Sequence, residues 1–123
     1  MTVGDRASRS GRWVEARLRE RQDDEWIVLR GWSMSPALRD GDELRVAGFT
    51  EADPPRAGEI VIARRGQRLV THRLVAIADG YATTRPDLGH GDDPPIPVDA
   101  LVGRVVGVRR KRLRRWMRWL RRS

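Results

Sequence analysis

Cysteine is absent from this 123-residue sequence, and basic residues other than arginine are scarce. The absence of cysteine excludes disulfide bonds, thiol nucleophiles and cysteine-ligated metal sites. The chain contains one lysine, Lys111, and two histidines, His72 and His90. Because lysine and histidine are the ordinary bases that activate a nucleophile near neutral pH, such chemistry must draw on these three residues.

Long hydrophobic runs are absent as well. No stretch approaches the roughly 18 consecutive apolar residues of a membrane-spanning helix. Residues 1–13 lack the apolar segment of a secretory signal. We therefore expect a cytoplasmic protein. With 39% hydrophobic residues, the chain suits one small domain with a modest core.

The net charge of +8 is concentrated at the carboxyl end of the chain. Residues 109–123 hold nine of the 25 basic groups and no acidic group, which leaves 16 basic and 17 acidic groups elsewhere. The composition therefore implies no basic face on the rest of the chain, and attraction to phosphate or anionic lipid belongs chiefly to this tail.

The tail has the pattern of an amphipathic helix. Its apolar residues recur at helical spacing with arginines opposite, and they are Leu113, Trp116, Met117 and Leu120. Two interpretations stay open, namely packing on the domain and binding to an anionic membrane surface. The membrane or partner contacts would then be Arg112, Trp116 and Trp119. Nucleic-acid binding through the tail is the least favoured interpretation.

The middle of the chain consists of short β-prone runs separated by turn signals. These runs predict a mostly β domain over residues 25–108, with an N-terminal segment 1–24 that contains a short helix and the helical tail 109–123. The predicted strands are 25–30, 43–47, 59–63, 68–77, 81–84 and 101–108.

Two of the five serines lie close together in the stretch RGWSMSPALRDGD. Ser35 and Pro36 predict a short helical turn, with the serine as its N-cap. Ser33 lies between a strand and this turn, where unpaired backbone N–H groups favour negative charge. Ser33 is therefore a candidate nucleophile, and a polar loop serine is the alternative.

If Ser33 is a nucleophile, it needs a base that takes its proton and a carboxylate that orients this base. Lys111 lies in the basic tail, and His90 lies in an exposed loop. His72 lies on a strand with its side chain on the apolar face, where it is either a base or a buried core histidine. Carboxylates that could orient an imidazole, or that simply form turns, are Asp87, Asp92 and Asp93. No tight ligand spacing predicts a metal, and we expect no cofactor.

Four segments in this order resemble the superfamily of signal peptidases and LexA-type repressor peptidases. They are GWSMSPALRDGD, GEIVIA, VTHRL, and TRPDLGHGDD followed by LVGRVVGV. The resemblance covers about residues 25–108 and implies a coiled β-barrel that carries a serine endopeptidase. The histidine in VTHRL is similar to the archaeal and eukaryotic branch, which implies Ser33 as nucleophile and His72 as general base. Alignment with that branch favours Asp93 as the residue that orients His72, with Asp87 second.

The resemblance also implies a substrate, a leader or precursor peptide cleaved by a small form that lies in the cytoplasm or on the inner membrane face. We expect Trp32 and Met34, which flank Ser33, to contact this substrate. Gly31 stands where some relatives have an oxyanion-binding hydroxyl, so oxyanion stabilisation would rest mainly on the Ser33 backbone N–H. The alternative is an inactive peptide-binding or membrane-docking module of the same fold. A separation of about 3 Å between Ser33 and His72 would favour the enzyme.

Overall fold

The computed structural model describes residues 2–3 and 25–110, and in this part of the chain the protein is mostly β. Eight strands and one short 3-10 helix, Val98–Ala100, make up the regular structure there. The strands are β1 Thr2–Val3, β2 Glu25–Arg30, β3 Glu43–Ala47, β4 Ile60–Arg65, β5 Arg68–Ala78, β6 Tyr81–Arg85, β7 Ile96–Pro97 and β8 Leu101–Arg109.

The strands form one antiparallel sheet in the order β1-β2-β3-β8-β4-β5-β6-β7. An additional pairing joins β1 to β5, with Thr2 opposite Val70. On its other side β1 pairs with β2, with Thr2 opposite Arg30 and Val3 opposite Leu29. The short strand β1 therefore lies between β2 and the first half of β5.

The alternation of side chains explains why these segments form strands with one buried face. In β2, Ile27 and Leu29 are buried, whereas Trp26 and Val28, which alternate with them, are exposed. Two clusters form the core. The first contains Ile27, Leu29, Met34, Leu38, Leu44, Val46, Ile62, Leu69 and Val102. The second contains Val61, Ala63, Leu74, Ala82, Ile96, Ala100 and Leu101.

A buried arginine on β8 fixes the long connection between β3 and β4. The Arg104 side chain is only 7% exposed and pairs with Asp53 at 2.7 Å and with Glu59 at 2.6 Å. Its guanidinium group also lies 4.7 Å from the centre of the Phe49 ring. These charge-assisted contacts hold the connection against the sheet.

The prediction of a mostly β domain is confirmed, and all six predicted strands are present with ends shifted by at most two residues. The sequence missed β1 and β7, because strands of two residues are too short to show a period. The coiled β-barrel stays a prediction, which the pairing of β1 with β5 supports.

The predicted helix start at Ser35 and Pro36 is wrong. Residues 33–37 form a turn, which the Leu38 N–H closes by donating to the Met34 carbonyl oxygen at 2.9 Å, and the peptide bond between Ser35 and Pro36 is cis. The carboxylates of Asp40 and Asp42, rather than Ser35, accept backbone N–H groups in this connection. The predicted short helix near residues 12–22 and the helical tail lie outside the described residues, so the three predicted segment boundaries stay predictions. Among the described residues, no helix has both the length and the apolar character needed to cross a bilayer.

Candidate active site

Ser33 lies in the connection between β2 and β3, and two carboxylates shape this connection. Gly31 has φ of +100°, a conformation that glycine adopts without strain, and its N–H donates to Asp40 Oδ1 at 2.8 Å. The Arg39 N–H donates to Asp42 Oδ2, also at 2.8 Å. The chain therefore turns sharply after β2 and presents Ser33 at its bend.

His72 lies on β5, directly opposite Val61 of β4. The residue is 9% exposed, so its ring is almost fully enclosed by the protein. Its Nε2 atom lies 3.2 Å from Ser33 Oγ, although 39 residues separate the two in sequence. The fold therefore brings the predicted nucleophile and the predicted base into hydrogen-bond contact.

Asp93 completes a line of three side chains. Its Oδ2 atom lies 2.6 Å from His72 Nδ1, the ring nitrogen that faces away from Ser33. The Asp93 backbone N–H donates to the carbonyl oxygen of Thr84 at 2.8 Å, which anchors the carboxylate to β6. The order Ser33, His72, Asp93 is the arrangement in which a carboxylate fixes the tautomer of an imidazole that accepts a hydroxyl proton.

The surroundings of these side chains shift both pKa values downward. Burial lowers the pKa of His72 below its usual 6.5, and the charges of the amino terminus and Arg65 lower it further, whereas the hydrogen bond and the charge of Asp93 raise it. Burial raises the pKa of Asp93, but hydrogen bonds from Thr84 and His72 and the charge of Arg65 together lower it below 3.8. At neutral pH a neutral imidazole therefore faces an ionised carboxylate.

Asp87, the second predicted partner of His72, instead binds Arg73. Its two carboxylate oxygens accept Arg73 Nε and Nη2 at 2.9 and 2.8 Å. This bidentate pair lowers the pKa of Asp87. The next residue, Leu88, donates its N–H to the Ser33 carbonyl oxygen at 2.7 Å. Asp87 therefore lies on the segment that supports Ser33, and Asp93 is the carboxylate that contacts the imidazole.

The two residues that flank Ser33 have opposite environments. Trp32 is 60% exposed, so its indole ring is available to a bound peptide. Met34 has no exposed surface and packs in the first core cluster, where its sulfur accepts the Asp87 N–H at 3.4 Å. This burial does not fit the expected contact of Met34 with substrate, because the core requires its side chain.

The other predicted site residues lie elsewhere. His90 is in an exposed loop, and Asp92 pairs with Arg85 at 2.9 Å. Arg112, Trp116 and Trp119, the predicted membrane or partner contacts, lie outside the described residues. Within residues 2–3 and 25–110, no group of three or more histidine, cysteine, aspartate or glutamate side chains is arranged to hold a metal ion.

Sequence reasoning missed two polar residues next to Asp93, namely Thr84 and Arg65. Thr84 is 1% exposed, and its Oγ1 donates to Asp93 Oδ2 at 2.7 Å. Arg65 Nη2 lies 3.8 Å from the same oxygen. One sequence feature points to Thr84. In the strand YATTR the two-residue period places Thr84 on the same face as the apolar Ala82.

A family model described as Peptidase S24-like matches residues 3–106 of the chain. The chain belongs to this family. The predicted resemblance to LexA-type and signal peptidases is thereby confirmed at the level of the superfamily, and the histidine branch stays a prediction. A comparison with curated proteins gives no match. Membership in the S24-like family supports a peptidase-type hydrolase and a LexA-like β fold.

Proposed function

We propose that this S24-like protein is a serine endopeptidase that cleaves a leader or precursor peptide. In this proposal Ser33 is the nucleophile, His72 is the general base and acid, and Asp93 orients the imidazole. One observation carries the proposal, namely the continuous line of contacts from Ser33 Oγ to His72 Nε2 at 3.2 Å and from His72 Nδ1 to Asp93 Oδ2 at 2.6 Å.

The first half of the reaction forms an acyl-enzyme. Ser33 Oγ attacks the scissile carbonyl carbon, and His72 Nε2 takes the hydroxyl proton as the new C–O bond forms. The resulting oxyanion is bound by the Ser33 backbone N–H. When the C–N bond breaks, the imidazolium of His72 gives its proton to the leaving amine.

The second half releases the product and restores the enzyme. Water attacks the acyl carbon while His72 Nε2 removes one of its protons, and the proton then returns to Ser33 Oγ as the ester bond breaks. In both halves the negative charge of Asp93 stabilises the transient imidazolium. The lowered pKa of His72 suits this cycle, because the ring is in its accepting, neutral form at neutral pH.

An extended substrate segment fits the strands that lead into the site. β2 ends at Arg30, shortly before Ser33, and β5 passes Val70 just before His72. β1 pairs with β2 at Arg30 and with β5 at Val70, so these backbone edges accept a strand. We propose that a peptide substrate lies along the same edges in place of β1 and that Trp32 contacts one of its side chains. The basic tail would hold the enzyme on the inner membrane face, close to such peptides.

The alternative function is an inactive peptide-binding or membrane-docking module with the same fold. This reading predicts no alignment of the nucleophile with its base, because a binding module needs only the strand edges. The distance of 3.2 Å between Ser33 Oγ and His72 Nε2 favours the enzyme.

The test is a mass-spectrometric census of protein N-termini in cells that produce the wild-type chain, Ser33→Ala or Ser35→Ala at matched levels. Ser35 is the matched control, since it lies in the same turn and makes no hydroxyl contact with His72 among the contacts described above. N-termini that disappear only in Ser33→Ala establish a serine peptidase and identify its substrate. Identical censuses for all three folded proteins support the binding module.

A further inference from the structure

The oxygen of Asp93 that faces His72 is also bound by a second donor. Thr84 Oγ1 donates to Asp93 Oδ2 at 2.7 Å, and His72 Nδ1 approaches the same oxygen at 2.6 Å. Thr84 further accepts the Asp93 backbone N–H on its carbonyl oxygen at 2.8 Å. Because Thr84 holds Asp93 at both the backbone and the carboxylate, it fixes the position of the oxygen that His72 uses.

Arg65, the last residue of β4, extends this contact network. Its Nη2 atom lies 3.2 Å from Thr84 Oγ1, 2.9 Å from the Pro94 carbonyl oxygen and 3.8 Å from Asp93 Oδ2. Along the β4–β5 hairpin Arg65 is directly opposite Arg68, a pairing of like charges that is unfavourable by itself. The contacts around Asp93 offset this repulsion for Arg65.

We propose that Thr84 and Arg65 are positioning residues, which hold Asp93 Oδ2 in line with Nδ1 of His72 through the chain Arg65, Thr84, Asp93. Neither side chain touches Ser33 in the contacts described, so both act through Asp93 and His72. The kinetic consequence rests on the proposed peptidase function, whereas the effect on the imidazole does not.

The charges around His72 make the proposal measurable. Asp93 and Asp87 lie on the segment that follows β6, Arg65 lies on β4, and the amino terminus adds a positive charge. The positive charge of Arg65 lowers the pKa of both His72 and Asp93. Removal of this charge by itself raises the pKa of His72, whereas displacement of Asp93 lowers it, because the hydrogen bond and the charge of Asp93 raise that pKa. In a variant that keeps the charge, a purely structural tie between β4 and Pro94 predicts lower thermal stability with an unchanged imidazole.

The first measurement is an NMR titration of the His72 imidazole in the full chain, together with thermal unfolding. The variants are Arg65→Gln, which removes the charge, and Arg65→Lys, which keeps it. Arg64→Gln is the matched control, because Arg64 is the exposed neighbour on β4 and the substitution removes the same charge. We expect the loss of charge in Arg65→Gln to raise the His72 midpoint, and Arg64→Gln to raise it much less. In Arg65→Lys the charge remains but the guanidinium contacts with Thr84 and Pro94 are lost, so displacement of Asp93 should lower the midpoint, whereas a residue that acts through its charge alone leaves the midpoint near wild type.

The second measurement uses Thr84→Val, which removes the hydroxyl and keeps the shape, and Thr84→Ser, which restores it. With a peptide that spans the identified cleavage site, we expect Thr84→Val to lower kcat about 10-fold, the loss typical of one hydrogen bond to a charged group. KM should not change, because Thr84 is 1% exposed and cannot reach substrate. Thr84→Ser should recover most of kcat.

These results separate the inference from the proposed function. A folded Arg65→Lys with the wild-type His72 midpoint overturns the role of Arg65, and wild-type kcat in Thr84→Val overturns that of Thr84. If the variants of one residue fail to fold, those of the other residue still test the role of that residue. A shifted His72 midpoint in a chain whose wild type cleaves no peptide supports the positioning network and overturns the peptidase.

Discussion

Replacing Asp93 by asparagine tests the proposed triad at the contact that the fold created. In the wild type, Asp93 Oδ2 accepts from His72 Nδ1 at 2.6 Å and from Thr84 Oγ1 at 2.7 Å. A carboxylate only accepts hydrogen bonds, whereas an amide has one accepting oxygen and a donating NH₂ group. If the amide donates to Nδ1, the ring proton moves to Nε2. The imidazole then cannot accept the proton of Ser33.

The expected loss is large because two effects combine. The wrong tautomer removes the base, and the imidazolium that forms during attack loses its neighbouring negative charge. An aspartate-to-asparagine change at this position of a serine triad lowers kcat by about 10⁴-fold, or about 5.5 kcal/mol of transition-state stabilisation. KM should change little, because Asp93 reaches the substrate only through His72 and Ser33.

The assay measures kcat and KM with a peptide that spans the cleavage site found in the census of N-termini. The matched control is Asp87→Asn, the same change on the same segment. Its carboxylate binds Arg73 at 2.8 Å, and the two side chains are 22% and 37% exposed. Partly exposed ion pairs contribute little, so we expect Asp87→Asn to lower kcat less than about 10-fold. Circular dichroism and thermal unfolding verify that both variants fold.

Two results would refute this reasoning. If folded Asp93→Asn retains more than about one tenth of wild-type kcat, the carboxylate does not orient the base. If Asp87→Asn causes the larger loss, the second candidate from the sequence is the functional aspartate, and the contact between Asp93 and His72 does not describe the active enzyme.

Four further predictions concern the pH dependence of activity, the pH dependence of stability, the buried arginine and the substrate edge. Because burial holds the pKa of His72 below 6.5, kcat/KM should rise with pH through that lowered pKa and be level above pH 6.5. A pH-rate profile whose acid limb is centred above pH 6.5 contradicts this expectation. Below pH 6.5 the unfolded chain binds more protons than the folded chain, because the pKa of His72 is lower in the folded state. The contribution of His72 to the free energy of unfolding is therefore complete above pH 6.5 and is lost as the pH falls, and urea denaturation at several pH values measures this loss. Arg104→Met should lower the free energy of unfolding by about 3 kcal/mol, because it removes the cation that Glu59 binds, and an unchanged urea midpoint would show that the pair is dispensable. Val3→Pro removes a backbone N–H from β1 and weakens the pairing of this strand, so KM for an extended peptide should fall if substrate takes the place of β1, whereas an unchanged or higher KM argues for separate edges.

Much of the fold was predictable because its strands follow a local rule. Alternating apolar side chains in β2 and β3 place Ile27, Leu29, Leu44 and Val46 on one face, and all four are buried. β1 and β7 were not predictable, because each has two residues and exists only through pairing with strands distant in sequence. The cis bond before Pro36 was also missed, since the serine and proline there resemble a helix start.

The candidate nucleophile and base could be found from the sequence, because few residues of the chain can act as a nucleophile or a base. No cysteine is present, the single lysine lies in the tail, and of two histidines only His72 lies on an apolar strand face. These are properties of composition and of the two-residue period of a strand, and both can be read without knowing which residues meet.

The contact between a carboxylate and His72, and the residues that support it, exist only in the folded chain. The resemblance ranked Asp93 before Asp87, but the two lie six positions apart in one loop, and composition and periodicity do not distinguish them. The fold directs Asp87 to Arg73 and directs Asp93 to His72, 21 residues away in sequence. Thr84 and Arg65 join the site for the same reason, since β4, β5 and β6 are neighbours in the sheet. Contacts of this kind depend on strand register and loop path, which are set by the burial of the whole core.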